Sequence, residues 1–264
     1  MNSAAHGTRP IAPYKEGQVA YTWKGDTVYA VYLAGEGETA PPDDAGEVLA
    51  ALPADADRAE ATWAILEDWL ARLWAAVPVY GCLLIGGKSR RMGTPKHLLE
   101  KGGRTWVERT AERLSGAAER VVIVGAGQLP ASMAGATRLA DVPDAEGPMS
   151  GLLAAMRWGG AASWLVAACD LPDLSEPAVE WLLSTRRPGV WATVPRLPGG
   201  EGLEPLLAHY DFRARALLED LAAEGCMAPS RLAEHPKVIT PEPPPDLEPA
   251  WRNVNTPADL SDTA

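Results

Sequence analysis

Leu84-Ile-Gly-Gly-Lys-Ser-Arg-Arg-Met-Gly-Thr-Pro-Lys96 grows out of the apolar run Val79–Ile85. A short, continuously apolar run predicts a strand covered on both faces. The glycine pair at its end predicts a tight turn whose backbone approaches a ligand closely. Backbone N–H groups in such a turn cradle phosphate oxygens. Lys88, Arg90, Arg91 and Lys96 add four cations within nine positions. Arg grips two oxygens with a planar fork, and Lys acts as a mobile point charge, so the set suits a triphosphate.

Two other phosphate motifs do not fit. A P-loop needs four residues between its first Gly and Gly-Lys-Ser/Thr. Here Gly81 precedes Gly87-Lys88-Ser89 by five, and those five include the strand interior Cys82–Ile85. Gly125-Ala-Gly127 lacks the third Gly of a dinucleotide fingerprint.

Outward from this stretch, strands and helices alternate. Thr105-Trp-Val-Glu108 is a capping box that opens a helix to about Ala117. Val121–Val124, Trp164–Cys169, Val190–Val194 and Lys237–Thr240 read as strands. Met149–Trp158, Glu176–Thr185 and Asp211–Ala223 read as helices. Thr256-Pro-Ala-Asp259 is a second capping box, with Pro257 at the first helical position. Apolar strands alternating with helices predict a three-layer α/β/α domain on a mostly parallel sheet, with no internal repeat.

Residues 1–77 read as an appendage to this domain at 78–264. Val19, Tyr21 and Trp23, then Tyr29, Val31 and Leu33, alternate around Lys24-Gly25-Asp26 and predict a β-hairpin. Residues 36–60 carry eight acids with Pro41-Pro42 and Pro53, a solvated linker. A helix follows at about 58–76. Its stripe Trp63, Leu66, Leu70, Leu73 and Val77 is spaced to dock on the next domain or to bind a partner.

The chain has 264 residues, long enough for one large domain plus this appendage. With 24 Lys and Arg against 35 Asp and Glu, the net charge is −11. That excludes generic nucleic-acid or anionic-membrane binding and requires any phosphate to be held by a local cluster of cations. There is no apolar run of about 18 residues, so no transmembrane helix is expected. Cys82, Cys169 and Cys226 are too few for a disulfide framework, and a cytoplasmic location is expected. His6, His97, His209 and His235 have no mutual ligand spacing, and no zinc site is expected.

Asp170 ends a predicted strand, at the strand edge where open α/β sheets bind ligands. A carboxylate there suits Mg²⁺, which takes one or two carboxylates together with substrate phosphates. Cys169 reads as buried filler.

Leu-x-Gly-Gly-x-Ser-x-Arg-Met-Gly-x-x-Lys resembles the signature loop of the Rossmann-like nucleotidyltransferases. The nearest resemblance, over about residues 79–264, is to the molybdenum cofactor guanylyltransferases. It implies transfer of GMP from GTP to a molybdopterin-type acceptor, with release of pyrophosphate. Leu84, Ile85, Gly86, Gly87, Ser89 and Lys96 would then contact the nucleotide, with Arg91, Lys96 and Asp170 catalytic and Asp170 on Mg²⁺. Gly147-Pro-Met-Ser-Gly151 resembles the family's Gly-Pro-Leu-x-Gly turn. The matching guanine-reading carboxylate is Asp141, at the right offset, and not Asp144. Glu204–Tyr210 is similar to the segment beside the acceptor site. Asn253-Val-Asn-Thr-Pro-Ala-Asp-Leu260 is similar to the closing Asn-x-Asn-Thr-Pro-x-x-Leu, which offers Asn253 to the acceptor and Asn255 to its own loop. Where the family often has Asn after the second strand, this chain has Val124-Gly125. Molybdoenzymes or other cofactor-biosynthesis proteins are implied as partners. Two alternatives stay open: a cytidylyl- or sugar-phosphate nucleotidyltransferase of the same fold, or a non-catalytic nucleotide-binding module.

Overall fold

A computed structural model describes residues 9–16, 19–24, 27–32, 58–86, 95–198 and 202–254. The chain divides into two compact units, Met1–Ala76 and Val77–Ala264. Residues 36–57 of the linker expected over 36–60, the loop residues Gly87, Lys88, Ser89, Arg90 and Arg91, and the closing Asn255 and Thr256 cap lie outside the described residues, and 58–60 belong to a helix.

In the first unit, β1 (Arg9–Glu16), β2 (Val19–Lys24) and β3 (Thr27–Tyr32) form an antiparallel sheet in that order. The expected hairpin is β2–β3, paired from Val19↔Tyr32 to Lys24↔Thr27. The extra strand β1 carries Pro10 and Pro13, which cannot donate to a ladder. It accordingly takes an edge, and its register slips between Pro10 and Lys15. Helix α1 runs Arg58–Ala75. Its Leu70 and Leu73 are 52% and 50% exposed, whereas the side chains of Trp63 and Leu66 lie outside the described residues.

In the second unit, seven strands among the described residues form one sheet. They are β4 (Val79–Leu84), β7 (Arg120–Val124), β8 (Thr137–Leu139), β9 (Ser163–Ala168), β10 (Ala192–Thr193), β11 (Leu207–Tyr210) and β12 (Val238–Ile239). Their order is β12-β10-β11-β9-β4-β7-β8. Every neighbouring pair is parallel except the two made by β11, which runs against β9 and β10. A two-stranded ribbon, β5 (Glu100–Lys101) with β6 (Arg104–Thr105), stands apart.

The sheet's two faces carry separate cores. Cys82, Val122, Val124, Trp164 and Val166 point to one face, under α3 (Pro148–Trp158) and α5 (Ala214–Ala223). Leu83, Ile123, Leu165 and Ala167 point to the other, under α2 (Trp106–Ser115) and α4 (Glu176–Ser184). The apolar runs seen in the sequence are therefore two alternating sets, each covered by helices, which is the three-layer arrangement expected. Each fully buried Val or Leu contributes about 1.5–3 kcal/mol.

The helix caps follow the sequence. Thr105 and Glu108 form the reciprocal capping box of α2. Hydrogen bonds from Ser132 and then Thr105 push the Glu108 carboxyl down to about 2.

Three boundaries differ from expectation. The helix expected over 211–223 begins at Ala214, because Asp211 takes the Arg213 backbone N–H (3.0 Å) and guanidinium in a turn of its own. The strands expected over 190–194 and 237–240 pair only at Ala192–Thr193 and Val238–Ile239. Strands β8 and β11 were not expected: β8 has three residues, and β11 has a His in a chain position that reads as loop.

That His209 is 3% exposed and faces Thr193 across the β10–β11 ladder. Among the described residues, neither His209 Nε2 nor Thr193 Oγ1 has a hydrogen-bond partner. Burial, and then the Arg186 charge, push the His209 ring down to about 3. The unfolded chain binds this proton below about pH 6.5 and the folded chain does not until about pH 3. This contribution to stability is complete above pH 6.5 and declines as the pH falls toward 3. By pH 5 the loss is about 2 kcal/mol. Urea unfolding at pH 7.5 and 5.0 checks it: His209→Leu is expected to lose about 2 kcal/mol less than the wild type over that interval. Equal losses would remove His209 as the cause.

Candidate active site

Strands β4, β7 and β9 end level with one another, with Leu84 opposite both Val124 and Ala168. Hydrogen bonding continues past the ladders. Ile85 N donates to Val124 O (2.9 Å), and Cys169 N to Leu84 O (3.0 Å). The segments starting at Ile85, Gly125 and Cys169 therefore leave the sheet side by side, at the carboxyl edge where such sheets bind ligands.

Lys96 returns to this edge. Its Nζ stands 3.0 Å from Asp170 Oδ2 across a sequence separation of 74. The two side chains are 14% and 22% exposed. At that exposure neither charge is fully solvated, and each partly neutralises the other.

The position of Lys96 depends on a neighbour that the sequence reading set aside. His97, at 3% exposure, is hydrogen-bonded through Nε2 to Gln128 O at 2.9 Å. A Cβ on Gly127 would lie 2.7 Å from the His97 ring. The ring thus fastens the far end of the glycine loop against the turn after β7.

The same turn explains the absent Asn. Gly125 has φ +115°, and a Cβ there would lie 1.9 Å from Ile85 O. No side chain fits that close approach. Arg138 donates from Nη2 to Gly125 O at 3.0 Å and holds the turn from the β8 side. Gly86, the described half of the glycine pair, has φ +121°, a backbone that L side chains rarely adopt.

The two acids before α3 have different surroundings. Asp141 is exposed just beyond β8, with Oδ1 3.1 Å from Ser150 Oγ. Ser150 Oγ is also 2.8 Å from Gly147 O, in the turn that opens α3. Asp144 is gripped by both nitrogens of the Arg157 fork, at 2.9 Å each. Those bonds hold its carboxyl below the ordinary range. Asp144 is thereby committed to a surface ion pair, whereas the carboxylate of Asp141 faces solvent.

The far wall comes from the end of the described chain. Val254 N donates to Asp170 O (3.1 Å), and Arg252 Nε to Asp173 Oδ2 (3.0 Å). Between them Asn253 is exposed, with its side chain near Glu204. Glu204 is half-buried. Burial raises its carboxyl, the nearby Asn253 amide partly offsets this, and the Asp170 charge adds to the rise. The sequence reading took Glu204 only as part of a segment. No local signal marks it: β11 runs antiparallel, so its leading end lies at the edge where its parallel neighbours finish, and that direction shows only in the sheet. Burial pushes the Cys169 thiol up to about 12, helped by the Asp170 charge. It stays a neutral thiol and is no nucleophile.

The described residues thus converge Leu84, Ile85, Gly86, Lys96 and Asp170 at one edge. Asp141 with Gly147 stands at one end of it, and Glu204 with Asn253 at the other. An ammonium beside a carboxylate can exchange its partner for a phosphate, leaving hard oxygen atoms for a divalent cation.

Residues 81–238 match the model of the MobA-like NTP transferase domain. The chain is similar to a probable molybdenum cofactor guanylyltransferase of Pelotomaculum thermopropionicum, with 34% identity over 68% of this chain and 89% of that one. It is similar at 28% to a molybdenum cofactor guanylyltransferase of Desulfosudis oleivorans, over 69% and 92% of the two chains. Among solved structures it is similar to molybdopterin-guanine dinucleotide biosynthesis protein A of Archaeoglobus fulgidus. That likeness has a TM-score of 0.57 and 26% identity, over 69% of this chain and 95% of that one.

Proposed function

The chain belongs to the MobA-like NTP transferase domain family and is a nucleotidyltransferase, and from that premise we propose that it transfers GMP from GTP to a molybdopterin-type acceptor. The observation that carries this reading is the Lys96–Asp170 pair at the carboxyl edge, 3.0 Å apart and mostly buried.

The acceptor's terminal phosphate is already a nucleophile, so no covalent enzyme intermediate is needed. One of its oxygens forms a bond to the α-phosphorus of GTP. The bond from that phosphorus to the bridging oxygen breaks, and its electron pair leaves on pyrophosphate. The chain's work is positioning and charge neutralisation. Lys96 holds the triphosphate, together with Arg91, Gly87 and Ser89 of the glycine loop. Leu84, Ile85 and Gly86 line the nucleotide from β4. Asp141 accepts from the N1–H and exocyclic amine of guanine, beside the Gly147 turn. Asn253 faces the acceptor.

The donor chemistry fits Mg²⁺. Among the described residues, no group of three His, Cys, Asp or Glu converges as a full protein cage. Asp170 offers a carboxylate at the edge, and its charge is felt at Glu204. One or two carboxylates completed by substrate phosphates is how Mg²⁺ is usually held. When bound, it neutralises charge on the phosphates.

One observation keeps a second reading. Gly125 occupies the place where guanylyltransferases often carry Asn, so a base or ribose contact is supplied differently, and CTP is the competing nucleotide. No helix among the described residues is long and apolar enough to cross a membrane. With the net charge of −11, this supports a cytoplasmic enzyme that binds neither membrane nor nucleic acid and hands its product to molybdoenzymes or other cofactor-biosynthesis proteins.

Pyrophosphate release with GTP, CTP and ATP, each with molybdenum cofactor and Mg²⁺, tests the proposal. Release is expected with GTP and to depend on the acceptor. Faster release with CTP would overturn the guanine assignment. Nucleotide binding with no release would favour a binding module.

A further inference from the structure

A second group of cations gathers away from the glycine loop. A cavity of about 130 Å³ opens between α2 and the turn that follows Asp170. Leu171, Pro172 and Leu174 line it from that turn, and Trp106 and Thr110 line it from the helix. Arg104, Arg109 and Arg113 stand around it with one carboxylate, Glu112. Neither Lys96 nor Asp170 lines it, so it is distinct from the nucleotide edge. The turn beneath it is held in place. Leu174 N donates to Leu171 O at 3.2 Å, and Asp173 is paired with Arg252.

Helix stability does not account for these arginines. Arg104 directly precedes the Thr105 cap, at the helix end whose partial charge is positive and disfavours a cation. Arg109 and Arg113 are four residues apart in α2, where like charges repel. Only Arg113, in the last turn, suits the helix dipole. Nor do the acids of α2 neutralise the group. Glu108 is committed to the capping box and to Ser132. Glu112 accepts from Arg104 Nη1 at 2.6 Å, with both side chains more than half exposed. That bond, and then the Arg113 and Arg109 charges, hold the Glu112 carboxyl below its ordinary range. Three guanidinium groups therefore bear on one carboxylate. Among the described residues neither Arg109 nor Arg113 forms an ion pair, and Arg109 Nη1 donates to Lys101 O at a long 3.4 Å.

Two cationic charges are thus left over beside the cavity. A phosphate group carries about −1.5 to −2 charge at pH 7, and its oxygens suit the planar guanidinium fork. Pockets for drug-sized ligands measure about 300–1,000 Å³, so this cavity takes a small oxyanion rather than a whole nucleotide. We propose that the cleft between α2 and the 171–174 turn is a second anion site, which binds free phosphate or pyrophosphate on Arg109 and Arg113. Glu112 is its built-in competitor, an oxyanion of the chain's own. The inference goes beyond the transfer reaction and does not depend on the identity of nucleotide or acceptor.

Calorimetric titration of the full chain, without nucleotide or Mg²⁺, tests it with inorganic phosphate and pyrophosphate in separate arms. Each is run on the wild type and on Lys96→Ala, which weakens the nucleotide edge and leaves the cleft intact. A phosphate site with a Kd of about 1 mM or tighter is expected, and it should survive Lys96→Ala within about twofold. Arg109→Ala and Arg113→Ala are each expected to weaken it roughly tenfold, the size of one charge-assisted hydrogen bond. Glu112→Gln is expected to tighten it by about two- to fivefold, because a like charge is removed and Arg104 is released. A gain of affinity cannot come from misfolding, so this variant keeps the test decisive. Tighter binding of pyrophosphate than of phosphate by Lys96→Ala would identify the longer anion as the occupant, and the reverse order would identify phosphate. No saturable binding of either anion up to about 10 mM would overturn the proposal. So would binding that is lost in Lys96→Ala but kept in Arg113→Ala, or weaker binding by Glu112→Gln.

Discussion

Lys96→Ala is expected to lower kcat for pyrophosphate release by about 10²–10³-fold, or roughly 2.7–4 kcal/mol of barrier. The argument starts from burial. The Lys96 side chain is 14% exposed, so its ammonium acts across a poorly solvated medium, where a fixed charge is worth more than in water. It sits at the end of three parallel strands, on a segment clamped by buried His97, so little reorganisation accompanies its use. Negative charge moves onto the leaving pyrophosphate in the transition state, and a preorganised cation stabilises that state more than the ground state. The loss should therefore fall mainly on kcat. Lys96→Arg should recover only part of it, because a planar fork does not reproduce a compact ammonium paired at 3.0 Å. Steady-state kinetics with saturating GTP and acceptor decide the matter. Undiminished turnover by Lys96→Ala would remove Lys96 from the mechanism.

Asp170→Asn is expected to lower turnover by about 10³-fold and to flatten the Mg²⁺ dependence, since a metal's charge neutralisation is worth several kcal/mol. The substitution is close to isosteric and keeps an oxygen that can accept from Lys96 Nζ. Its cost therefore reports the carboxylate charge rather than a cavity. The peptide oxygen of Asp170 still accepts from Val254 N, so the wall carrying Asn253 stays tethered. Chelation of Mg²⁺ from the wild type should lower its activity to near that of Asp170→Asn, and chelation should add little to the variant's loss. A variant that still responds steeply to Mg²⁺ would place the metal elsewhere.

Much of this architecture was legible before any coordinates. Runs such as Trp164–Cys169 are apolar at every position because Trp164 and Val166 meet one core and Leu165 and Ala167 the other. Short apolar runs punctuated by caps such as Thr105 and Glu108 read directly as a covered parallel sheet. That Lys96 and Asp170 share one site was implied by the resemblance of the glycine loop; their pairing rests on the adjacency of β4 and β9 and on the return of Lys96 to that edge. Two carboxyl ends of adjacent parallel strands must be neighbours, however far apart in sequence.

Other features had no local signal. Strand β11 is Leu207-Ala-His-Tyr210, with no β-branched residue and a buried His209 that finds no hydrogen-bond partner at Nε2 among the described residues. Only its neighbours β9 and β10 make it a strand. Because its direction was hidden, the place of Glu204 was hidden with it. His97 reads as a surface His beside a lysine, and its clamp on the Gly127 turn exists only in three dimensions. The need for Gly125 comes from Ile85 O, forty residues away in sequence, which passes too close for any side chain. The edge strand β1 was masked by its own prolines.

A crystal structure of the chain with GTP and Mg²⁺ tests the central claim most directly. It should place Lys96 Nζ within hydrogen-bonding distance of a phosphate oxygen, and Asp170 as a ligand of the metal bound to the same phosphates. Density for the triphosphate away from the carboxyl ends of β4 and β9, with Lys96 and Asp170 still paired to each other, would contradict it.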